Sequence, residues 1–118
     1  MTATLASAKA ALVAQITAAA IPEVTVLGFE PAAVPRGLTV TVATSHVLAE
    51  EYLFAVRVYV TDNNPQIAQT SIDALIPLVE AALSGTYGPI EWEVFLDAAD
   101  AGDVVLATAS VTAPREDF

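Results

Sequence analysis

Few residues in this chain have the types and spacing that chemistry needs. His46 is the single histidine, and it stands beside Ser45. A Ser–His–acid relay needs a serine aimed at the imidazole, whereas neighbours along an extended strand point to opposite sides. The pair therefore reads as part of a polar surface turn. Asp97, Asp100 and Asp103 recur every three residues near Gly102, which invites a calcium reading. The loop spacing D-x-[DN]-x-[DN]-G with a distant Glu is missing, so the segment reads as a solvated acidic hairpin tip. Asp62, Asn63 and Asn64 offer oxygens to a cation, but helix capping already accounts for them. Glu91 and Glu93 share one face of an alternating segment, without the aromatic cleft that hydrolytic carboxylates usually occupy. There is no Cys, no G-x-G-x-x-G, no G-x-x-x-x-G-K-[ST] and no second His for H-E-x-x-H. The expectation is a chain with no catalytic set, no metal site and no cofactor.

Charge and hydropathy point elsewhere. The 118 residues carry 14 carboxylates against Lys9, Arg36, Arg57 and Arg115, a formal net charge of −10. That balance argues against a nucleic-acid binder, which needs a basic footprint, and against docking on an anionic membrane. Eight of the carboxylates fall from Glu80 onward, with Arg115 the one cation among them. Yet 55% of the chain is apolar and 15% charged, with a mean hydropathy of +0.60. Average usage is about 45–50% apolar and about 25% charged. Much of the excess is Ala, 24 residues in all. The longest apolar stretch, residues 10–21, is too short for a bilayer span, which takes about 20 residues. It also lacks the basic start of a signal peptide. A small, apolar, weakly charged chain is easiest to understand if partners cover some of its surface.

The elements that would position these residues follow from periodicity. Residues 2–20 predict an Ala-rich helix, with Leu5, Leu12, Val13 and Ile16 at near-helical spacing and Pro22 ending it. Only Lys9 and Gln15 give it long polar side chains, so it has no clear wet face. EVTVLGFE, residues 23–30, alternates as a strand. PAAVPRG, residues 31–37, is an irregular loop holding Pro35 and Arg36. LTVTVATS, residues 38–45, predicts a second strand and residues 46–51 a turn. YLFAVRVYVT, residues 52–61, predicts a third strand, with Phe54, Val56, Val58 and Val60 on one face and Ala55, Arg57, Tyr59 and Thr61 on the other. Asn64 is placed as an N-cap and Pro65 as the first residue of a second helix reaching about Leu83. Its stripe is Ile72, Leu75, Ile76, Val79 and Leu83, with Pro77 inside it and Gly85 as the residue that closes it. IEWEVFLD, residues 90–97, and VVLATASVTA, residues 104–113, are the last two strands, joined by the acidic turn. The result is one α+β domain over 1–118, in the order α-β-β-β-α-β-β. Its expected architecture is an antiparallel sheet with both helices on one face.

With that order in hand, the chain resembles the tail terminator proteins of long-tailed bacteriophages, in particular those of actinobacteria. The resemblance is carried by ALVAQI in the first helix, PAAVPRGLTVTV at the loop and second strand, LFAVRVYVTDNNPQIAQTSIDAL from third strand into second helix, and the ending DVVLATASVTAPREDF. It covers nearly the whole chain and rests on element order and texture, with no catalytic or ligand motif. It implies a structural virion protein of the tail and neck, assembled in the host cytoplasm. Such proteins form a hexameric ring on the head-proximal end of the tail tube, stop its polymerisation and meet the head-completion or neck proteins. DNA passes through the hole without specific binding. Pro35, Arg36, Asn63, Asn64, Arg115 and Phe118 are the expected partner contacts, because loops on a rigid sheet commonly carry them. Asp97, Asp100 and Asp103 are the expected lining of the opening. The alternatives are another head–tail connector, a tail-tube subunit, or a small ligand-binding α+β domain with a cavity between helix and sheet.

Overall fold

A computed structural model describes residues 4–33, 35–62, 64–99 and 102–114, with the backbone alone for 96–99, 102 and 103. The first helix, α1 (Leu5–Ala18), begins at a capping box. Thr4 Oγ1 accepts from the Ser7 N–H at 3.1 Å, and Ser7 Oγ accepts from the Thr4 N–H at 2.9 Å. This exchange satisfies two donors that a helix start otherwise leaves unmade. The second helix, α2 (Pro65–Tyr87), starts as its sequence requires: Asn64 Oδ1 accepts from Gln66 N at 3.0 Å and Ile67 N at 3.4 Å, and Pro65 needs no donor there. Pro77 is accommodated inside the helix, which runs on for ten further residues to Tyr87. Gly85 does not close it. Gly88 does, at φ 79°, a conformation open to glycine. By length and hydropathy α2 would also suffice to cross a membrane. Its apolar stripe, Ala68, Ile72, Leu75, Val79 and Leu83, is nevertheless buried against the sheet.

The strands are β1 (Val24–Leu27), β2 (Gly37–Val47), β3 (Glu51–Asp62), β4 (Glu93–Ala99) and β5 (Gly102–Pro114). They form one sheet in the order β1-β2-β3-β5-β4. The α+β class and the element order are those expected from the sequence. One pairing is not. β1 runs parallel to β2, so the sheet is mixed rather than wholly antiparallel. A parallel neighbour needs a crossover rather than a tight turn, and residues 28–36 supply it. The strand β2 also extends through His46 to Val47, past a bulge between Thr44 and His46, which leaves a shorter turn before β3 than the sequence implied.

Both helices share one core with one face of the sheet. Leu12 and Ile16 of α1, the α2 stripe, and Val40, Val42, Phe54, Val56, Val58, Val60, Val105, Ala107, Ala109 and Val111 form a single buried cluster. The two-residue period of β3 puts Phe54, Val56, Val58 and Val60 there, as their alternation predicts. The molecule is elongated, 47 × 26 × 21 Å, with the long strands along its length.

Candidate functional site

Register decides what the expected contact residues have in common. Gly37 faces Thr61 across β2–β3, Asp62 faces Asp103 across β3–β5, and Ala98 faces Asp103 across β4–β5. Three of the segments singled out in the sequence therefore lie at one end of the sheet: the loop with Pro35 and Arg36, the turn leading into α2, and the strand ends that carry Asp97 and Asp103. At this pole the Pro35 carbonyl accepts from Thr61 Oγ1 at 2.8 Å, and Asp62 Oδ1 accepts from the Asn64 N–H at 2.8 Å. Arg36 is exposed, while Pro35 is half-buried. Asn64 is occupied as a helix cap. The fourth segment, the C-terminal tail, starts at the other end, where Pro114 faces Glu51. Asn63, Asp100, Arg115 and Phe118 lie outside the described residues. Asp97 and Asp103 are placed by backbone alone, in β4 and β5.

Sequence reasoning missed the best-connected polar cluster, on the sheet face away from the helices. Glu30, in the crossover, reaches three side chains on two strands. Its Oε2 accepts from Thr41 Oγ1 at 3.1 Å and meets Arg57 Nη1 at 3.2 Å, and its Oε1 accepts from the Tyr59 hydroxyl. Register assembles the donors: Thr41 is the cross-strand partner of Arg57, and Tyr59 sits two residues along β3 on the same face. Burial pushes the Tyr59 hydroxyl up to about 12, with the hydrogen bond to Glu30 and its charge adding to this and Arg57 opposing it. A phenol held so high is a donor at neutral pH, not a base. The cluster ties the crossover at Glu30 to the sheet, and Thr39 and Thr41 on that face are buried. The one available signal was Arg57, a lone cation in an otherwise apolar strand.

Ser45 Oγ and His46 Nδ1 lie 2.8 Å apart at the bulged end of β2. Among the described residues, no group of three His, Cys, Asp or Glu side chains is arranged to hold a metal ion.

Large exposed apolar side chains occur on both margins of the sheet, and also at the β2–β3 hairpin (Val47, Leu48) and on α2 (Ile67, Leu78). Beyond β1, the outer side of α1 forms an open hollow of about 660 Å³ lined by Ala6, Ala10, Val13, Ala14, Thr17 and Gly28, with Lys9 at its border. Phe29 beside it is 57% exposed. At the opposite margin, Val94 and Phe95 of the edge strand β4 are 55% and 47% exposed. They are neighbours in a strand, so they show apolar surface on both faces of that edge. Comparison with protein-family models and with curated proteins finds no match to this chain.

Proposed function

We propose that this chain is a structural subunit of a phage tail. It closes with copies of itself into a hexameric ring on the head-proximal end of the tail tube, ends tube growth and joins the tail to neck proteins. The observation that carries this reading is the pair of apolar margins on opposite sides of one sheet. A surface that is complementary to a different surface of the same chain makes head-to-tail contacts, and these close into a ring when the rotation allows. Here the β4 edge of one copy would meet the α1 and β1 margin of the next. The unpaired backbone groups of both edge strands favour such an approach. The pole that gathers Arg36, Asp62 and the backbone positions of Asp97 and Asp103 would then lie on one rim of the ring, and the Pro114 end on the other.

The sequence resemblance to tail terminators supports the same reading. So does the charge of −10, which would let DNA slide through a lumen rather than adhere to it. The helix–sheet interface is filled by Leu12, Ile16, Ile72, Val79 and Leu83, all within 1% of fully buried. That packing works against a ligand cavity between the layers. Solution mass and negative-stain electron microscopy, with and without purified tail tubes, test the proposal. Rings alone or on tube ends are expected. Open filaments from the purified chain would instead make it a tube subunit. A strict monomer that leaves tube ends bare would refute both.

A further inference from the structure

The strand β5 pairs with β3 over nearly its whole length, from Asp103 opposite Asp62 to Pro114 opposite Glu51. Its outer side is only half used. β4 begins at Glu93, opposite Thr108, and covers β5 from there back to Gly102. Among the described residues, no strand pairs with the outer side of 109–114. Alternate residues of a strand turn their N–H and C=O outward, so about two or three of these residues present such groups along a ledge, Pro114 having no N–H to offer.

Three further observations describe what the ledge would accept. First, it has room at its β4 end, and a second hollow lies beside its Pro114 end on the β3 side. One hollow of about 590 Å³ is lined by Pro89, Glu91, Trp92, Glu93, Thr108 and Ser110. Another of about 540 Å³ lies between the β2–β3 turn and Thr112 and Pro114. Second, Trp92 packs on the core from the first hollow, and its indole N–H is buried with no acceptor among the described residues. A buried donor without an acceptor is costly. Third, the charge is one-sided. Glu93 shares the face of Thr108, and Glu51 shares the face of Pro114; both are on the side away from the helices. Glu91 lines the first hollow and Glu50 the second, and among the described residues no cation lines either. Among the described residues the nearest cation along the register, Arg57 opposite Thr108, is engaged by Glu30, and Arg115, directly after Pro114, lies outside them.

We infer that residues 109–114 take up an extended basic segment of a partner protein as an additional strand of the sheet. Main-chain bonds to β5 supply the affinity, and alternate side chains supply the selection. Basic side chains face Glu93 on the helix-free side, with Glu51 one strand further in across β5, and small apolar ones face Trp92 on the helix side. The ledge lies on the β4 margin, beyond the start of that strand, and the inference does not use ring formation.

Trp92 is the single tryptophan, so its fluorescence reports on the first hollow directly. The probe is an acetylated and amidated Lys-Val-Lys-Val-Lys-Val peptide, about 20 Å long when extended and thus matched to the ledge. Saturable binding with a change in Trp92 emission is expected, as is slower hydrogen exchange at the outward amides of 109–114. A Glu51→Gln/Glu93→Gln variant should bind about fivefold more weakly at low salt, as for two rim charges. A peptide with Pro at its centre, which removes a ladder donor, should not bind. The inference fails if the Lys-Val peptide does not bind, or if the Pro peptide binds equally well, which would mean a contact of charge alone. It also fails if those amides are already protected in the free chain, because the ledge would then be covered by the chain itself or by a second copy.

Discussion

Glu30 is where a single side chain decides the path of the backbone. It joins the crossover to Thr41, Arg57 and Tyr59, and so ties the crossover to the sheet at Glu30. Replacing Tyr59 by Phe removes one charge-assisted hydrogen bond and should cost about 1–2 kcal/mol in a urea titration. The pH dependence has a definite sign. The Tyr59 hydroxyl sits at about 12 in the folded chain against 10.0 unfolded. Below pH 10 both states hold the proton and the contribution is intact. Between pH 10 and 12 the unfolded state loses its proton first, so stability falls as pH rises. Wild-type protein should therefore lose more stability than Tyr59→Phe across that window, measured by thermal melts at increasing pH. Glu30→Ala should leave the helix–sheet core folded by circular dichroism but make residues 28–36 far quicker to cut in limited proteolysis.

Helices and strands read from sequence wherever burial enforces a period. The α2 stripe and the β3 alternation were visible because Ile72, Leu75, Val79 and Leu83, and Phe54 through Val60, meet one core. The end of α2 was misread because two glycines compete for it. Gly85 lies inside the helix and Gly88, directly before Pro89, takes the positive φ. The proline was the usable clue, since it commonly follows a helix end. The two glycines make opposite predictions. Gly85→Ala should raise stability by about 0.5–1 kcal/mol, because nothing lies within 4 Å of the added Cβ and Ala is the better helix former. Gly88→Ala should lower it by about 1–2 kcal/mol, because φ is 79° there. Denaturant titration of both variants checks this. The parallel β1–β2 pair was not legible, because it depends on the route of the crossover. That route is set by Glu30 finding partners that only the β2–β3 register brings together. The contact segments were legible as loops, but their gathering at one pole also waited on register.

For the whole molecule, apolar margins and a charge of −10 pull against each other. Copies that attract through α1 and the β4 edge must also overcome mutual repulsion, which salt screens beyond about 8 Å at physiological strength. Self-association should therefore strengthen between about 20 mM and about 300 mM NaCl, the reverse of an ion-paired interface. Val94→Lys/Phe95→Lys should abolish it at either salt while leaving the melting profile nearly unchanged, read by light scattering and circular dichroism. The position of β3 at the centre has a separate consequence in time. It forms a hairpin with β2 from nearby residues, but its other flank waits for β5, about 40 to 60 residues further along. A nascent chain thus carries an uncovered hydrogen-bonding rail until its last quarter emerges from the ribosome. Docking β5 requires closing that long excursion around α2, which makes it the natural slow step of folding.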